Sequence, residues 1–149
     1  MKGTRSKARS CNLVNRRNRH VTQTEYEIKP GDRLISTTNT RGVITYFNES
    51  FRLASGYEPE ELMGSPHNII RHPDMPKAAF ADMWATLKQE KPWMGLIKNR
   101  RKDGGFYWVS AYVTPMLIDG KVTGYESVRV RASDNQKKRA TPIYKKLQQ

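Results

Sequence analysis

Cysteine is almost missing from this 149-residue chain, where Cys11 stands alone. A single thiol excludes an internal disulfide framework and any zinc site built on several cysteines. Only three histidines are present. His67 and His72 are five apart with Asp74 beyond, but no third nitrogen or sulfur ligand accompanies them, so a metal centre is not expected. Long apolar runs are lacking too. None approaches the roughly 20 residues that span a bilayer, so the chain carries no membrane span of its own. The basic N-terminus is not followed by the roughly 7–15-residue apolar stretch of a secretory signal. Aromatic residues make up 9% and hydrophobic residues 36%, low values that place part of the chain outside the core. Acid is also in deficit, at 14 Asp and Glu against 27 Lys and Arg, for a formal charge of +13.

Such a charge suggests nucleic acid, but its distribution argues otherwise. Residues 1–20 carry +7 with no acid, residues 133–149 carry +4, and residues 21–132 carry only +2. The folded part is therefore close to neutral. A basic stretch poor in apolar residues stays disordered and solvated as a rule, and no helix-turn-helix, zinc-finger or ribonucleoprotein motif supports nucleic acid as a partner. Three regions follow: a basic tail over 1–24, a domain over 25–132, and a linker over 133–149 that begins a connecting helix.

Within the domain, RLISTT (33–38) and VITYF (43–47) flank Asn-Thr-Arg-Gly and predict a hairpin. Asn48 suits the N-cap of a short helix that Gly56 ends. Glu58 to Gly64 predicts a second one-turn helix with acids in its first turn. Three prolines in SPHNIIRHPDMP predict an irregular, restricted segment. Lys77 to Lys88 is the longest helical pattern, with Phe80, Met83, Trp84 and Leu87 on one face. After Pro92 the period becomes two, and KDGG and IDGK turns divide the sequence into three antiparallel strands. The fold class is α+β: an antiparallel sheet with short helices packed on one face.

Alternation sorts the strand faces. Tyr107, Val109, Ala111, Val113, Pro115 and Leu117 point to the core, as do Gly95, Ile97, Asn99 and Arg101. Glu126 falls at an inward position on the last strand, where an apolar residue would fit better. A buried Asn99 amide needs partners, because an unpaired one costs about 1–3 kcal/mol. It finds them in nearby loop backbone, at a sheet edge, or in a ligand. With Trp84, Trp93 and Tyr107 it describes an apolar pocket holding a few polar groups, the usual make-up of a small-molecule site. Nothing reads as a catalytic centre. Glu60 and Glu61 lie on a surface turn, Cys11 has no fixed histidine beside it, and no glycine-rich loop cradles a phosphate. The chain is not expected to be an enzyme.

The stretch from NESFRLASGY through PHNIIRHPDMPKAAFADMW to PWMGLIKNRRKDGGFYWV, then GYESVRVRAS, closely resembles the PAS sensor domain of bacterial aerotaxis receptors. These are methyl-accepting chemotaxis-type receptors that carry FAD. The resemblance covers residues 21–149 and implies a PAS fold with five antiparallel strands and FAD held between sheet and helices. It implies that Trp93, Asn99 and Tyr107 lie around the isoalloxazine. It also implies that His67, Arg71, His72 and Asp74 form or support the binding segment, with Asn48, Phe80 and Trp84 lining the pocket. Function would be redox or oxygen sensing in signal transduction, at the cytoplasmic face of a membrane that other parts of a receptor would span. Homodimerisation and contact with a HAMP-type signalling domain are implied as well. The alternative from another class is a cofactor-free PAS module that uses its sheet for interaction. The basic first 20 residues are not implied by the resemblance.

Overall fold

The computed structural model describes residues 20–148; Cys11 and nearly all of the expected basic tail lie outside them. The first hairpin is β1 (Leu34–Asn39) and β2 (Ile44–Phe47). Its turn is fixed by the Asn39 side chain, whose Oδ1 accepts from the backbone N–H of Arg41 and Val43 at 2.9 and 3.1 Å. Helix α1 (Glu49–Ser55) follows, and Gly56 closes it at φ 76°, where a side chain would be strained. Helix α2 (Pro59–Leu62) is a single turn started by a reciprocal Glu58/Glu61 capping box. A 3-10 turn (His67–Ile70) and α3 (Lys77–Lys88) complete the helical segment. Then come β3 (Trp93–Arg100), β4 (Phe106–Ile118), β5 (Lys121–Arg131) and a last helix, α4 (Asp134–Gln148).

The strands form one antiparallel sheet in the order β2-β1-β5-β4-β3. Its inner face packs on α1, α2 and α3 through Leu34, Ile44, Phe51, Leu62, Ile70, Leu87 and Val109, each at most 1% exposed. The outer face is partly covered by α4. Tyr144 stacks on Trp108 with ring centres 6.2 Å apart, and its hydroxyl donates to the Leu96 carbonyl at 2.7 Å. The expected connecting helix therefore lies back on the sheet rather than leaving it. Burial of Trp108 has the same cause. The chain is bonded to the domain before Glu25: Thr22 N–H donates to Gly104 and Phe106 N–H to the Thr24 carbonyl. Among the described residues no helix is long and apolar enough to cross a membrane.

Two face assignments are corrected. Glu126 pairs with Thr37 and Thr114 on the outer face, where water reaches its carboxylate. The inward residues of β5 are Tyr125, Ser127 and Arg129, one position out of phase. A slip of one residue in a strand exchanges every side chain between faces. At the end of β4, an irregularity between Met116 and Leu117 breaks the alternation, and Leu117 is half exposed instead of in the core.

Candidate functional site

Sheet and helices do not close completely against each other. Between them lies a half-open cavity of about 210 Å³. Its floor is the inner sheet face, with Ser36, Ile97, Asn99, Val113, Tyr125, Ser127 and Arg129. One wall is α3, through Phe80, Met83, Trp84 and Leu87, and the facing wall runs from Pro66 to Arg71 with Gly42 beside it. The period-3.6 stripe predicted for α3 is thus the cavity-facing stripe.

Five of the ten expected site residues line this cavity: His67, Arg71, Phe80, Trp84 and Asn99. Arg71 and Asn99 also meet as an isolated backbone bridge, and the Arg71 guanidinium lies 3.9 Å over the Phe80 ring. Trp84 meets Tyr125 edge to face at 5.3 Å. The other five lie off the lining. Asn48 is spent as a cap: its Oδ1 accepts from the N–H of Phe51 and Ile35, both at 3.0 Å, and its Nδ2 donates to the Arg33 carbonyl. The chain rounds the edge of β3 after Arg71, so His72 packs against Phe106 on the other side. Asp74 there bonds Lys98 Nζ at 2.8 Å. Trp93 turns to α3 and donates from Nε1 to Asp82 Oδ2 at 2.9 Å. Tyr107 is fully buried beside Asn99 in the ladder, with its ring edge to face on Tyr26.

The floor is polar at one end. Ser36 Oγ and His67 Nε2 are 3.0 Å apart. Burial, and then the positive charge of Arg129, hold the His67 imidazole well below its ordinary range, so it stays neutral. Beside it Asn99 Nδ2, Ser127 Oγ and both Nε and Nη1 of Arg129 are buried without a hydrogen-bond partner in the protein. Tyr107 Oη, below them, has none either, and burial pushes its phenol up to about 12. Burial also lowers the Arg129 pKa, yet a guanidinium keeps its charge in proteins. An enclosed cation without an anionic or carbonyl partner is unfavourable, so this end of the cavity is built for something that accepts hydrogen bonds. Sequence reasoning missed Arg129. The alternation VRVR on β5 reads most simply with valines inward, and the misfit of Glu126 in that phase was the sign that the phase is opposite. The two expected histidines face different sides of the sheet edge, and among the described residues no three His, Cys, Asp or Glu gather as metal ligands.

The aerotaxis receptor of Escherichia coli (strain K12) is 51% identical over 128 residues, which is 86% of this chain and 25% of the receptor. The chain thus spans about a quarter of that relative. The light state structure of the blue-light photoreceptor Aureochrome1 LOV matches with a TM-score of 0.67 at 18% identity, covering 74% of this chain and 89% of that one. A structure from work on a flavin analogue and the light-oxygen-voltage domain mechanism matches equally, at 0.67 and 18%, covering 77% and 88%. At that identity these two show the fold alone. A family model described as the PAS fold matches residues 44–129, more than half of the chain. Five antiparallel strands with helices over a half-open cavity agree with it, and the chain belongs to the PAS family.

Proposed function

We propose that the cavity binds a flavin, as FAD, and that the domain senses redox state or oxygen for a chemotaxis-type receptor. The observation that carries this reading is the cluster of unpartnered buried donors at Asn99, Ser127 and Arg129, opposite the aromatic wall of Phe80 and Trp84. A flat ring system with carbonyl oxygens along one edge fits both halves: aromatic and apolar side chains take its faces, and the donors take its oxygens. The 51% identity to an aerotaxis receptor supports the same reading.

When bound, the flavin supplies reversible uptake of electrons and protons. The chain's own part is to hold the ring and register its charge. Arg129 supplies a fixed positive charge that favours added negative charge nearby. Asn99 carries a donor and an acceptor on one amide, so rotation about its last bond answers a change in what it faces. His67, held neutral and bonded to Ser36, adds no charge of its own beside Arg129. A short path leads outward. Arg71 pairs with Asn99, and the Pro73 carbonyl accepts from Gln148 on α4 at 2.9 Å. Leu96, three residues from Asn99 on β3, accepts from Tyr144 on the same helix. A shift in β3 thereby reaches the segment that would lead to a HAMP-type signalling domain. The difference needed is small, about 1–3 kcal/mol for a coupled switch.

A cofactor-free interaction module is the second reading, favoured by Tyr46, Met94, Tyr112 and Val130, all exposed on the outer sheet face. Homodimerisation through that face is compatible with either reading. The visible spectrum of the purified protein separates them. Absorption of a bound flavin, released as FAD on denaturation, is the expected result. A colourless protein that takes up no added FAD would leave only the interaction module.

A further inference from the structure

Trp93 was expected at the flavin ring, and its actual position assigns it other work. The far edge of the indole lies over Gly95; a Cβ there would stand 2.4 Å from Trp93 Cη2, so only glycine leaves room for it. Held in that way, Nε1–H reaches across to α3 and donates to Asp82 Oδ2 at 2.9 Å. Trp93 is buried while Asp82 is exposed on the helix. A buried donor is therefore satisfied by a carboxylate on a different element, the stronger charge-assisted kind of hydrogen bond.

Helix α3 needs such a tie. Of its residues only Leu87 is buried; Phe80, Met83 and Trp84 are half-buried because they lean over the cavity. Its N-cap is Pro76, which gives no side-chain cap. Asp82 directly precedes Met83 and Trp84, so the bond to Trp93 fixes where those two side chains stand above the cavity.

We infer that Asp82 and Trp93 form a clasp that holds α3 closed over the bound ligand, with Asp82 as a positioning residue that sets how long the ligand stays. The inference rests on the flavin reading of the cavity. Breaking the clasp loosens one wall without removing any group that touches the ring. Release therefore accelerates while the ring's surroundings stay the same.

The test is the rate of FAD release from the wild-type protein, followed by flavin fluorescence after dilution into excess apoprotein of a non-fluorescent flavin binder. Asp82→Ala and Trp93→Phe should each release FAD about ten-fold faster, equivalent to ~1.4 kcal/mol. The double variant should be no faster than either single one. Asp82→Asn, whose amide oxygen still accepts from the indole, should remain within about three-fold of wild type. Absorption band positions and midpoint potential should be unchanged in all four variants. If wild type binds no FAD, both the flavin reading and the clasp fall. If wild type holds FAD and neither Asp82→Ala nor Trp93→Phe hastens release, the clasp alone is overturned. Equally, a Trp93→Phe variant with shifted bands and potential, beside an Asp82→Ala variant like wild type, makes Trp93 a ring contact and ends the clasp.

Discussion

Arg129 carries a full positive charge on the inner face of β5, and neither Nε nor Nη1 finds a partner in the protein. Such a group costs stability in the ligand-free fold and repays it only when a hydrogen-bond acceptor arrives. Arg129→Met, which keeps much of the volume and drops the charge, separates these two effects. Ligand-free protein should be at least as stable as wild type, by up to ~3 kcal/mol in urea unfolding. Its FAD affinity should fall at least about ten-fold by fluorescence titration. A variant that is both less stable and unchanged in FAD binding would contradict this role. Asn99 was legible in the sequence because strict alternation on β3 sets it among apolar neighbours. Arg129 was not, because a basic residue between two valines reads as solvent-facing until pairing with β1 and β4 fixes the phase. Asn48 misled in the opposite way: its value as an N-cap could be read locally, and the cap uses up its side chain.

At the scale of elements, boundaries marked by local chemistry were readable, and docking was not. Asn48, Gly56, Pro76 and the two Asp-Gly turns set where helices and strands start or stop, and α3 spans Lys77–Lys88 as its periodicity predicts. What α4 packs against depends on Trp108 and Leu96, distant in sequence, and its composition gave only a basic helix with a few apolar residues. Tyr144 attaches it together with buried Ala140, the Lys137–Glu25 ion pair and the Gln148 bond to Pro73. Tyr144→Phe keeps the stacking on Trp108 and loses the 2.7 Å bond to the Leu96 carbonyl. That loss should cost about 1 kcal/mol, seen as faster amide exchange over residues 137–148 with the exchange of β4 and β5 unchanged. Uniform acceleration throughout the domain would mean that α4 and the sheet open together, and the outward path from Asn99 would lose its last step.

For the whole molecule, the basic excess belongs to the two ends, and the domain between them buries two histidines that stay neutral. His72 is depressed to about 4, by burial first and then by the charge of Lys98, and His67 is depressed as well. Both lie below the ordinary value of about 6.5, so the unfolded chain binds these protons first on acidification. Stability from both residues is complete above about pH 6.5 and falls as pH drops below it, for His72 down to about pH 4. Urea unfolding should weaken over that interval, and His72→Gln should flatten the dependence. A profile that is flat from pH 7 to pH 4 would mean that neither ring is held neutral by the fold. The central claim is narrower: the floor of the cavity receives a flavin through Arg129 and Asn99. Side-chain N–H resonances of these two residues in a nitrogen-15 spectrum report on it directly during titration with FAD. The account predicts that Arg129 Nε–H and Asn99 Nδ2–H₂ both move and saturate at one equivalent. Binding that leaves both unmoved, with shifts confined to the outer sheet face, would contradict it.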